Sequence, residues 1–147
     1  MALRVPKAEF STEMSENMIK QLGAVAEPVE VVWHNPKVAT SNFEVSAKLG
    51  EWDAADASLK SFAHMAVASQ VPRWRDSELF TPLERDVLKY AEAMTNTPPT
   101  VTGELHVSLL DRLGAAAMVE LTAYIAFVSM ATRNWFCSRR RVLAQVL

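Results

Sequence analysis

Three side chains in this sequence are of types that do chemistry and stand where their surroundings could tune them. Glu120 is the only charged residue in the apolar run 115–131. Burial there would raise its pKa toward a range useful for proton transfer. The competing reading is an ion pair with an arginine, Arg85 or Arg133, that holds helices in register. His64 follows Lys60 by one helical turn and precedes Val67, so it either borders a pocket as an acid–base group or sits at the edge of a packed stripe. Cys137 stands beside Arg139, Arg140 and Arg141, which would favour a thiolate if the tail folds around it; otherwise it is a free thiol.

The other candidates are weaker. His34, in Trp33-His34-Asn35-Pro36, is a second histidine for the same pocket, and His106 reads as a solvent-facing helix residue. The three histidines show no metal-ligand spacing, and a lone cysteine rules out an internal disulfide or a zinc site of paired cysteines. No cofactor or metal is expected. Trp33, Trp52, Trp74 and Trp135, with seven methionines, suit either an apolar ligand cavity or ordinary core filling.

Helices must position these groups, because start and stop signals recur and no segment alternates as a strand would. Residues 11–22 form an amphipathic candidate with Met14, Met18 and Leu22 on one side and Gly23 to end it. Pro28 suits the first turn of a short second helix, and Asn35 caps a third that Pro36 opens and Gly50 closes. Asp53 or Asp56 starts a fourth over 57–69, whose apolar stripe is Leu59, Phe62, Ala63 and Ala66.

The sharpest local signal is Thr81-Pro82-Leu83-Glu84, a capping box with proline at the first helical position. The helix it opens carries Leu83, Val87, Tyr90 and Met94 inward and Arg85, Asp86, Lys89 and Glu92 on its wetter face, and Asn96-Thr97-Pro98-Pro99 stops it. Leu105, Leu109 and Leu113 mark a shorter helix ending at Gly114, and a long apolar helix runs from Ala115 to about Arg133. That last helix approaches membrane-spanning length. Glu120 inside it favours a central bundle or interface helix, and no membrane association is expected.

With 147 residues, 50% apolar content and a net charge of −2, the chain reads as one domain over 1–147. The basic end, with Arg133, Arg139, Arg140 and Arg141 and no acid, is too short for the broad basic face of a nucleic-acid-binding domain, so no nucleic acid is expected. One cysteine and no secretory pattern at the start point to a cytoplasmic address.

The segments 59–69, 74–85 and 90–95 resemble the carboxymuconolactone decarboxylase family, which includes the alkylhydroperoxidase D-like proteins. Phe80-Thr81-Pro82-Leu83-Glu84-Arg85, Ala91-Glu92-Ala93-Met94 and Pro98-Pro99 carry the resemblance most specifically. Val119-Glu120-Leu121-Thr122-Ala123-Tyr124-Ile125-Ala126 followed by Arg133 looks like the family's closing helix, so the resemblance spans about 30–133 and leaves 134–147 as a divergent basic tail. It implies an all-α, homo-oligomeric bundle of the alkylhydroperoxidase D-like type. It also implies peroxide reduction, of peroxiredoxin type, or small-lactone decarboxylation.

The departures bear on that activity. Redox-active relatives carry a Cys-x-x-Cys motif and a histidine after the helix matching 59–69, with an upstream glutamate as proton relay. Here Ser69-Gln70 runs straight into Val71-Pro72-Arg73-Trp74, and Lys60 and Ser61 stand where the relay glutamate is sought. One cysteine cannot both attack a peroxide and resolve the sulfenic acid within one chain. The chain therefore reads as a shortened member with its redox centre missing and its peroxide or lactone chemistry impaired. The alternatives are a non-catalytic oligomeric or small-ligand-binding protein, or a shortened product that folds poorly. His64, Glu120 and Cys137 are the candidate catalytic residues.

Overall fold

A computed structural model describes residues 8–22, 27–67 and 74–138. Helices account for about three-quarters of them (77%) and no strand occurs among them, so the protein is all-α. Among the described residues the α-helices are α1 (Thr12–Leu22), α2 (Glu27–Val32), α3 (Pro36–Gly50), α4 (Ala57–Val67), α5 (Pro82–Thr95) and α6 (Gly103–Ser138). A 3-10 turn, Trp74–Asp76, lies between α4 and α5.

The chain divides into two compact units, one of residues 1–48 and 133–147, the other of 49–132. In the first, the Ala8 amide donates to the Glu30 carbonyl at 2.7 Å, and Trp33 stands between Phe10 and Phe43 with ring centroids 6.0 and 6.2 Å away. Among its described residues Val31 and Ala39 are buried. Asn35 caps α3 as its position before proline predicts, its side-chain oxygen accepting from the Val38 amide at 3.4 Å.

The second unit holds the larger core. Leu59 and Ala63 of α4 pack with Val87 and Ala91 of α5 and with Leu121 and Ile125 of α6. Of the two aspartates offered as caps for α4, Asp56 serves, accepting from the Ser58 amide at 2.7 Å and the Ser58 hydroxyl at 2.5 Å. These bonds, the hydroxyl's first, hold the Asp56 carboxyl below its ordinary pKa. The capping box at Thr81 forms in full: its hydroxyl accepts from the Glu84 amide, and Glu84 accepts from the Thr81 amide at 2.7 Å.

Arg85 differs from its sequence reading. It is half-buried, and its guanidinium donates to the carbonyls of Phe80, Arg75 and Ser77, fastening the 3-10 turn to the start of α5. Its fork of donors matches three convergent carbonyls, which a helical projection of α5 alone does not reveal.

The break expected at Gly114 is present. Its φ of 79° and ψ of 165° lie in a region essentially confined to glycine, and they divide α6 into limbs 103–113 and 115–138. Thr102 caps the first limb, accepting from the Leu105 amide at 3.3 Å. Asp86 of α5 ties that limb down by pairing with Arg112 at 3.0 Å while also holding Lys89.

Candidate functional site

Lysine at position 60 interrupts an inward face of α4 formed with Ala63 and Val67, so its ammonium needs a buried acceptor. It has two. Lys60 Nζ lies 2.8 Å from Glu120 Oε1 and donates to the Trp52 carbonyl at 2.7 Å. The second Glu120 oxygen accepts from the Ala54 amide at 2.7 Å. Both side chains are about nine-tenths buried, with 11% and 8% of their surface exposed.

The arginine partners considered for Glu120 are thus replaced by Lys60. Its expected pKa shift is also reversed. Burial, the largest influence, pushes the carboxyl upward, but the Lys60 ammonium and the amides of Ala54 and Ala55 together outweigh it and hold the pKa below the ordinary carboxylate value. A carboxylate so engaged is a poor general base. The usable signal was Lys60 itself, a cation on an apolar face, although nothing in the sequence says that its partner lies sixty positions on.

One turn further along both helices, the exposed His64 places Nδ1 3.3 Å from the Tyr124 hydroxyl, with ring centroids 6.4 Å apart. Lys60 and His64 share a face of α4, and Glu120 and Tyr124 share a face of α6, because residues four apart are neighbours on a helix. The four side chains form two polar rungs, and His64 is paired with Tyr124 rather than with Glu120. His34, in the other unit, is exposed. The side chain of Cys137 and the junction 68–73 lie outside the described residues.

A cavity of about 480 Å³ lies elsewhere in the second unit, between α5 and the two limbs of α6. Leu110, Met118 and Ala123 give it apolar walls, and Tyr90, His106 and Thr122 contribute its polar groups. Gly114 makes this concavity, since turning the backbone there separates the limb bearing His106 and Leu110 from the limb bearing Met118 and Thr122. Tyr90 Oη lies 3.0 Å from Thr122 Oγ1, and the Thr122 hydroxyl lies 2.7 Å from the Met118 carbonyl one turn back. His106, read from sequence as a solvent-facing residue, is exposed but also lines this cavity, its ring centroid 6.4 Å from that of Tyr90. Of the tryptophans, Trp74 is buried beneath the Arg75 guanidinium, 4.6 Å from its ring centroid, and Trp52 is exposed; neither lines the cavity.

Residues 103–133 are long and apolar enough to cross a membrane by length and composition, with Glu120, ion-paired to Lys60 of α4, inside the stretch. Among the described residues, no group of three or more His, Cys, Asp or Glu side chains is placed to hold a metal ion.

No family model matches the chain, and no solved structure matches it. Over 63 residues, 43% of its length, it is 44% identical to the uncharacterized protein YnjA of Escherichia coli (strain K12). The match spans 35% of that protein.

Proposed function

We propose that this chain is a shortened relative of the carboxymuconolactone decarboxylase and alkylhydroperoxidase D-like proteins that binds a small apolar molecule and has lost efficient peroxide chemistry. We place it in the cytoplasm as a homo-oligomer. The observation that carries this reading is a division of labour within one unit: Glu120 is committed to Lys60 and backbone amides, while the cavity beside Tyr90 has a volume suited to a small ligand. The resemblance at Phe80–Arg85 and Ala91–Met94, together with the absence of a cysteine pair, supports the lineage and the loss. Exposed Val107 and Met130 on α6, outside the cavity lining, support self-association.

The test pairs two measurements on the purified chain. Dithiol-dependent peroxide consumption should match that of Cys137→Ser, and ethylbenzene should shift the methyl resonances of Met118 and Ala123 saturably. Peroxide consumption that Cys137→Ser abolishes would restore the peroxiredoxin reading. Light scattering reports the oligomer, and a monomer would remove that part.

One observation favours a second reading, small-lactone processing. The exposed His64 touches the Tyr124 hydroxyl, an arrangement able to pass a proton to a bound lactone. Lactone turnover lost in both His64→Gln and Tyr124→Phe would establish it, and turnover unchanged in both would exclude these residues.

A further inference from the structure

Proton accounting at the polar end of the cavity specifies more than apolarity. The Thr122 hydroxyl has one proton, and its geometry to the Met118 carbonyl, 2.7 Å away and one helical turn back, is that of a donated bond. The 3.0 Å contact between Tyr90 Oη and Thr122 Oγ1 then has to be donated by the tyrosine. Tyr90 is left with lone pairs and no proton to offer. The residue is buried except where it borders the cavity, so a donor for those lone pairs comes from whatever occupies the cavity. The remaining polar side chain of the lining, His106, stands at an exposed position.

From this we infer that the cavity at the Gly114 bend is a site for a compact apolar molecule bearing one hydroxyl, a phenol or alkylphenol, whose O–H donates to Tyr90 while its hydrocarbon part lies against Leu110, Met118 and Ala123. A cavity of about 480 Å³ takes a substituted single ring. An apolar wall with one oriented acceptor selects a hydroxyl over the corresponding ether, because the ether leaves that acceptor unsatisfied. The inference rests on the small-ligand reading above and adds the ligand's chemical class.

The experiment is calorimetric titration of the full chain with 4-propylphenol and with 4-propylanisole, the same skeleton with the donor proton replaced by methyl. The phenol should bind about three- to tenfold more tightly, the ratio expected for one neutral hydrogen bond. Tyr90→Phe should abolish that ratio. Thr122→Val, which frees the tyrosine proton to serve a ligand acceptor, should shrink it with little change in shape. Ala123→Phe should block both ligands.

Equal affinity of the wild-type chain for phenol and ether would overturn the hydroxyl inference and leave the small-ligand reading standing. Binding of neither would overturn both. Binding that survives Ala123→Phe would place the ligand elsewhere and overturn the assignment. A wild-type oligomer that binds neither ligand and is split by Ala123→Phe would show that a second copy fills the groove, with the same consequence.

Discussion

Lys60 and Glu120, sixty residues apart, meet at 2.8 Å in the interior of the helical unit, and the carboxylate's other oxygen is bonded to the Ala54 amide. The pair joins α4 to α6 and anchors the backbone between α3 and α4 at both Trp52 and Ala54. Removing one partner strands the other charge, so Lys60→Met should cost about 3–5 kcal/mol. The double variant Lys60→Met/Glu120→Leu should be less destabilised than the two single losses combined. Denaturant titration of the four proteins reads the coupling, and additive losses would show that the pair contributes none.

The same carboxylate makes stability depend on acid. Its folded pKa lies below the unfolded value of about 4.5, so the stabilisation is complete above that pH and disappears as pH falls through the folded value. Asp56 moves in the same sense. Glu120→Gln should therefore flatten part of the acid limb of a stability–pH curve while Asp56 retains the rest. An unchanged limb would mean that Glu120 is not depressed.

Arg85 holds three carbonyls that no single ammonium can reach together. Arg85→Ala should cost about 1.5–3 kcal/mol, the range for hydrogen bonds to a charged group, and Arg85→Lys should recover little of it. Thermal melts test this, and full recovery by lysine would reduce the role of Arg85 to its charge.

Gly114→Ala should destabilise by about 1–3 kcal/mol for conformational reasons alone, because a Cβ there meets nothing within 4 Å while the backbone sits where L-residues are strained. Chemical denaturation gives the magnitude. A neutral alanine would mean that α6 straightens, which ligand titration would report as loss of the cavity.

The features legible in the sequence are those written within a few residues. Thr81 and Glu84 announce the start of α5, Asn35 and Pro36 that of α3, and Gly114 the break in α6, because capping and backbone conformation are local. Partnerships across the unit were not legible. Glu120 is visibly anomalous in the sequence, yet the partners read for it there are Arg85 and Arg133, and only the packing of α4 against α6 brings Lys60 to it instead. The cavity escaped for the same reason: Tyr90 counts as core and His106 as surface until the bend at Gly114 brings both to one concavity.

The handedness of that bend has its own consequence. Reflecting φ 79° and ψ 165° gives the extended conformation natural to an L-residue, so the site that resists L-alanine is the one a D-alanine would occupy without strain. Chemical synthesis or ligation with D-alanine at position 114 would restrict the unfolded chain while leaving the folded bend in place, and should raise stability by about 0.4–1 kcal/mol. One position thus reads out the chirality of the turn: opposite signs for the two enantiomers are the signature of a bend made by backbone geometry alone.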